Sequence, residues 1–245
     1  MTAQLVTEGI VKRFGGLTAL DQVSFQIETG ELVGLIGPNG SGKTTFLNVL
    51  SGFYRPERGG VWFEGRSIEG REPSDLAARG IARSFQVTKI FRRISVLENL
   101  LVPGLTDWST VPRKAAEKGH AILDGLELGH LAGGPAASLS GGQAKLLEFG
   151  RIMMLEPKLV LLDEPFGGVH PKLKRLMHET IRDWNARGTS IILISHDMGS
   201  IFGLCRRIVA LQNGRVIANG PPEAVRSDPA VLQAYLGTRS ARVTS

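Results

Sequence analysis

An α/β fold with a mainly parallel core sheet is predicted by three features of the sequence. Short apolar runs at Leu32–Ile36, Leu159–Leu162 and Ser190–Ile194 have the length and composition of buried strands. A helix-period segment at about Leu173–Ala186 separates the last two, and that strand–helix–strand order predicts parallel pairing with helices on both faces. The first run feeds a glycine-rich loop, Gly37-Pro38-Asn39-Gly40-Ser41-Gly42, followed by Lys43-Thr44-Thr45 and a segment, Thr45–Leu50, suited to a helix.

In chain order, residues 4–11 and 22–28 alternate apolar and polar, as half-exposed strands do. Between them, Lys12-Arg13-Phe14-Gly15-Gly16 reads as a turn that carries an exposed aromatic. Gly59–Phe63 is a further short strand, 74–79 a helix with Ser74 as its cap, and Ala82–Phe85 a strand leading to Gln86. Residues 87–155 change character: helix-like segments at Val96–Leu101, Arg113–Leu126 and Gly142–Leu155 read as a helical insertion. Beyond the two buried strands, Arg207–Leu211 and Arg215–Ala218 flank Asn213-Gly214, a hairpin signal. Residues 222–236 form one amphipathic helix, and the polar tail after Gly237 is expected to be loose.

The 245 residues are enough for one or two domains with a sizeable core. No apolar stretch is long enough to cross a bilayer, and the N-terminal residues lack the apolar core of a signal peptide. The single cysteine, Cys205, excludes an intrachain disulfide and any multi-cysteine metal site, which favours a reducing, cytosolic setting. A net charge of +6 permits an anionic partner, but the Lys and Arg are scattered and choose none.

The loop is where the sequence carries chemistry. Its glycines let the backbone curl with N–H groups inward, and a side chain at Gly40 or Gly42 is expected to obstruct a phosphate. The helix start adds unpaired N–H groups and a positive dipole end. Lys43 is placed to reach β- and γ-phosphates and the Thr44 hydroxyl to ligate Mg²⁺. A triphosphate site also needs carboxylates, and Asp163-Glu164 follows the strand Leu159–Leu162 at the sheet's carboxyl edge. Asp163 is the expected Mg²⁺ partner, and Glu164 is aimed at the attacking water. His196, in Ser195-His196-Asp197 after the next strand, is expected to bond a γ-phosphate oxygen and orient that water. Gln86, at another strand end, is placed to touch Mg²⁺ or the water.

Leu139-Ser140-Gly141-Gly142-Gln143 resembles the signature of ATP-binding cassette (ABC) ATPases. It again places serine and glycines before a helix, an anion-binding arrangement. Lying in the helical insertion, it is expected to cap the γ-phosphate held by a second subunit. The order of loop, Gln86, signature, Leu159–Pro165 and His196 is similar to that family over nearly the whole chain. The resemblance implies a nucleotide-binding domain over 1–237 with an antiparallel β subdomain. The core and β subdomain would take 1–86 and 156–237, a helical subdomain 87–155, and the flexible tail 238–245. It implies ATP and Mg²⁺ as cofactors, Phe14 stacked on adenine, and a head-to-tail dimer with ATP sandwiched between subunits. It also implies two transmembrane permeases as partners, a solute-binding protein indirectly, and a place on the cytoplasmic face of the membrane.

Residues 48–68, 82–102 and 217–237 look more narrowly like the ATP-binding subunits of branched-chain amino acid importers, with urea or amide uptake and lipid or lipopolysaccharide export left open. Thr88–Phe91 with Val96–Leu101 would then face the permease. A soluble ABC protein acting on nucleic acid or ribosomes fits less well, because the chain has one cassette and no sustained heptads. Three features depart from the usual pattern: His170 where aspartate is common, the Ala144-Lys145 pair after the signature, and Phe14 in place of tyrosine.

Overall fold

The computed structural model describes residues 3–84, 89–104 and 112–240. Strands β1 (Ala3–Phe14), β2 (Leu17–Glu28), β4 (Arg58–Phe63) and β5 (Arg66–Ser67) form an antiparallel sheet in the order β2-β1-β4-β5. Strands β3 (Leu32–Ile36), β6 (Ile81–Arg83), β7 (Leu159–Asp163), β8 (Ser190–Ile194), β9 (Arg207–Gln212) and β10 (Arg215–Gly220) form a second sheet in the order β10-β9-β3-β8-β7-β6. All its pairings are parallel except the β9–β10 hairpin. The expected mainly parallel sheet is therefore present, with an antiparallel sheet beside it.

Strands β3, β7 and β8 are buried along their whole length. Their alternation still matters, because each face meets a different core. Leu32 and Ile36 pack with Leu146, Phe149, Met177 and Ile181 on one side. Val33 and Leu35 pack with Phe46, Leu50, Phe25 and Val61 on the other. That second core is the space between the parallel sheet, helix α1 (Lys43–Leu50) and the antiparallel sheet.

Helix α2 (Pro73–Ala78) is capped at Glu72 with Pro73 at its first position, not at Ser74, because proline's missing N–H is no loss there. Helices α3 (Val96–Leu101), α4 (Arg113–Gly125) and α5 (Gly141–Met154) pack on one another. Helix α6 (Pro171–Ala186) connects β7 to β8 and precedes the left-handed Gly188. Helix α7 (Met198–Leu204), absent from the sequence reading, is capped by Asp197.

Two expectations need correcting. The Lys12–Gly16 turn shrinks to Gly15-Gly16, since β1 continues through Phe14, which pairs with Leu17. The single helix over 222–236 is two, α8 (Pro222–Ser227) and α9 (Pro229–Ser240). Asp228 is extended because Pro229 disfavours a helical residue before it, and the Asp228 carboxylate then accepts from Ala230 N at 2.8 Å. Helix α9 accordingly runs past Gly237, where a loose tail is expected.

Candidate active site

Strand β3 ends at the loop that the sequence singles out. Gly37 has φ 150°, and a Cβ there would lie 2.2 Å from the Leu211 carbonyl oxygen of β9. Gly42 (φ 103°) is the N-cap of α1, with the Ala19 carbonyl oxygen 2.5 Å from its would-be Cβ. The reason for glycine at 42 is thus its left-handed backbone and its seat against β2, rather than obstruction of a phosphate. Gly40 (φ 79°) has open space around its would-be Cβ and needs glycine for its dihedral alone. With no side chain at its N-cap, α1 leaves its first-turn amides without a side-chain acceptor, which suits an anion. Pro38 accepts from Ser41 N at 3.2 Å, Asn39 is exposed, and Thr44 and Thr45 occupy the first turn of the helix.

Lys43 is buried, and its ammonium donates to the carbonyls of Gly37 (2.8 Å) and Pro38 (3.0 Å). Burial lowers its pKa, while the charges of Glu164 and Asp163 act the other way. Those two carboxylates therefore lie within electrostatic reach, across the edge of the sheet.

Asp163 closes β7 and is almost fully buried. Its amide donates to Ser84 Oγ at 3.1 Å. Burial raises its carboxyl pKa; the Arg83 guanidinium, the Lys43 ammonium and a hydrogen bond with Thr44 oppose that rise. Lys43, Thr44 and Asp163, read from two distant motifs, are thus brought together.

Arg83 is the participant that sequence reasoning missed. It leaves β6 and lies 3.3 Å from Asp163 Oδ2, while its other terminal nitrogen donates to Asn48 Oδ1 (2.6 Å) and Ser51 Oγ (2.8 Å) of α1 and its C-cap. An arginine next to a strand end is a solvated residue by composition; its burial here depends on the neighbouring β7 and α1.

Glu164 sits one residue on with φ 51°, an uncommon backbone for a residue with a Cβ. Its Oε2 accepts from the His196 amide at 3.0 Å. Its Oε1 lies 3.4 Å from His196 Nε2 and has no hydrogen-bond partner among the described residues. A carboxylate held at one oxygen, with the other buried and unpaired beside an imidazole, has the chemistry of a general base. Gln86, like Thr88, lies outside the described residues.

The signature residues open helix α5. Ser140 is the N-cap of α5 and forms a capping box with Gln143, with Gln143 N donating to Ser140 Oγ at 3.3 Å and Ser140 N to Gln143 Oε1 at 2.9 Å. Gly141 and Gly142 form the first turn, Leu139 packs on the core, and α5 meets α3, α4 and α6. The unusual Lys145 has a structural partner: its ammonium donates to the carbonyl of Gly167, in the loop after Glu164. His170 caps α6, its Nδ1 accepting from Lys172 N at 3.3 Å. Phe14 is 43% exposed at the tip of the β1–β2 hairpin and meets Tyr54 edge-on, with ring centroids 5.2 Å apart. Tyr54 is a second aromatic that the sequence did not single out.

A phosphate loop, an acidic strand end and a strand-end histidine on one edge of a parallel sheet define a nucleotide-binding ATPase. The chain belongs to the ABC transporter family, whose model matches residues 20–167. A second family model, "Branched-chain amino acid ATP-binding cassette transporter", matches residues 215–241. The chain is 38% identical over 250 residues to the probable branched-chain amino acid transport ATP-binding protein LivG of Archaeoglobus fulgidus, covering 98% of this chain and 97% of that protein. It is 38% identical over 248 residues to the high-affinity LivG of Salmonella typhimurium, covering 95% and 97%. A crystal structure of the ADP conformation of an ATP-binding cassette of an ABC transporter superposes with a TM-score of 0.88 at 37% identity, over 97% of this chain and all of that one. A nucleotide-free cassette from an ABC transporter gives a TM-score of 0.87 at 36% identity, over 96% of this chain and 99% of that one. Among the described residues, no helix is long and apolar enough to cross a membrane.

Proposed function

We propose that this cassette hydrolyses ATP to drive uptake of branched-chain or related amino acids through partner permeases. The observation that carries the ATPase half is the convergence of Lys43, Thr44 and Asp163 from two distant segments, beside the Glu164–His196 pair. The cargo half is supported by near-full-length similarity to LivG proteins. In this reading residues 37–45 cradle the phosphates and Lys43 shifts its hydrogen bonds from the loop carbonyls to the β- and γ-oxygens. Phe14, beside Tyr54, stacks on the adenine. Glu164 takes the proton of the attacking water and His196 holds Glu164 and the γ-phosphate in register.

The donor set suits Mg²⁺: the Thr44 hydroxyl and Asp163 carboxylate are hard oxygen ligands beside the phosphate loop, with Gln86 the third candidate. When bound, the ion neutralises charge on the β- and γ-phosphates. Ser140 and its glycines, at the start of α5, serve the ATP of a second cassette, so the working unit is a dimer, either of this chain or with a paralogue. The segment 87–155 forms a helical subdomain facing the permeases on the cytoplasmic side, with 1–86 and 156–237 as core and β subdomain.

The test is a pull-down of the tagged protein from its own membranes, with copurifying chains identified by mass spectrometry. Multi-span permeases and a solute receptor that binds a branched-chain amino acid are the expected outcome. Recovery with ribosomes or DNA-repair proteins and no membrane subunit would overturn the transport reading.

A further inference from the structure

Helix α9 comes from the far end of the chain, yet it touches the start of the phosphate loop. Val231 and Ala234 are buried, and Val231 and Tyr235 belong to the same apolar core as Ile217 and Ala218 of β10. Tyr235 follows Val231 by one helical turn and so shares its face. That docking brings the Tyr235 hydroxyl to the backbone of Gly37, whose N–H donates to Tyr235 Oη at 2.9 Å. Gly37 is the residue at which β3 turns into the loop, and the Leu211 carbonyl leaves no room for a Cβ there. Its amide is buried, so an acceptor lost from Tyr235 is not readily replaced by water.

We propose that Tyr235 is a positioning residue for nucleotide binding: its hydroxyl fixes the peptide that opens the phosphate loop. The inference rests on reading residues 37–45 as the phosphate cradle. Lys43 holds the next peptide of the same residue, since its ammonium bonds the Gly37 carbonyl at 2.8 Å. A rotation of Gly37 therefore disturbs both the loop's entry and the hydrogen bonds of its lysine. Burial and the Glu164 charge raise the phenol's pKa against the effect of the Gly37 bond.

The experiment compares ADP affinity by calorimetry, and KM and kcat for ATP, in the full-length wild type, Tyr235→Phe and Val231→Ala. Tyr235→Phe removes one oxygen and keeps the ring; Val231→Ala loosens the helix and keeps the hydroxyl. The expected result for Tyr235→Phe is an ADP Kd and ATP KM raised about tenfold, the worth of one buried hydrogen bond, with kcat within about twofold. Val231→Ala is expected to lower the melting temperature more than Tyr235→Phe while shifting ADP affinity less. An unchanged ADP affinity in Tyr235→Phe would overturn the proposal, as would an equal loss in both variants, which would mean that the helix and not the hydroxyl matters. Wild-type protein that binds no ADP would overturn the phosphate-loop reading itself, and the inference with it.

Discussion

Arg83 and Asp163 form a buried ion pair, 3.3 Å apart, with side chains only 8% and 3% exposed. The arginine also bonds Asn48 and Ser51, so one guanidinium joins the helix after the phosphate loop to the strand that ends in the acidic motif. The two halves of the site are thereby held at a set separation before any ligand enters. Arg83→Met is expected to destabilise the protein by about 3 kcal/mol, because a buried carboxylate loses its main counter-charge. The double variant Arg83→Met/Asp163→Asn should regain much of that loss. Chemical denaturation of both variants is the check; a single variant as stable as wild type would remove the pair from any structural role.

Glu164→Gln keeps the shape and the acceptor oxygen but cannot take a proton. ATP binding is expected to persist while turnover falls by about a hundredfold or more. Steady-state phosphate release measured beside nucleotide binding separates the two effects. Turnover at the wild-type rate would exclude Glu164 as the base.

Lys43→Ala acts one step earlier. Its ammonium bonds two loop carbonyls and is placed for phosphate oxygens, so both loop order and ligand charge are lost. Nucleotide Kd is expected to rise by about tenfold to a hundredfold, the worth of charged hydrogen bonds. Equal calorimetric affinities would contradict the assignment.

Phe14→Ala should weaken ATP binding by about 1 kcal/mol for the lost stacking surface. Because Phe14 also meets Tyr54, Tyr54→Ala is expected to weaken binding by less. Titration with ATP and with inorganic triphosphate distinguishes adenine stacking from general loosening, since only the first should respond.

A pH dependence follows from Glu31, which accepts from Arg207 Nε at 2.6 Å and Nη2 at 2.8 Å. Burial alone would raise its carboxyl pKa, but the Arg207 hydrogen bonds, the Glu28 amide and the Arg207 charge together hold it below 4.5. The unfolded chain then binds the proton more readily than the native one. The pair's stabilisation is complete above the unfolded value and is lost as pH falls from 4.5 through the lower native pKa. The stability difference between wild type and Glu31→Gln should be constant near neutrality and shrink below that pH. A difference that stays flat into acid would refute the assignment.

Legibility followed locality. The Leu32–Ile36 strand, the glycine loop and α1 were readable because they are consecutive, and each step rests on residue types the chain shows in one stretch. Asp163 and Glu164 were readable for the same reason, as acids following an apolar run. Boundaries failed where two tendencies compete: Pro229 splits an amphipathic run that periodicity alone continues, and β1 outlasts its apolar alternation because Phe14 still pairs across the hairpin with Leu17.

By itself, then, the sequence determined the parallel-sheet architecture, the family and the candidate residues at each strand end. Only the tertiary structure decided which distant side chains meet. Arg83 reaches Asp163 across 80 residues of chain and Tyr235 reaches Gly37 across 198. Neither arginine nor tyrosine carries a local mark of its partner. Strand order places β6 beside β7, and the apolar face of α9 seats it on β10. Those packing choices are made by burial over the whole chain, and the polar contacts follow from where the backbone has been carried.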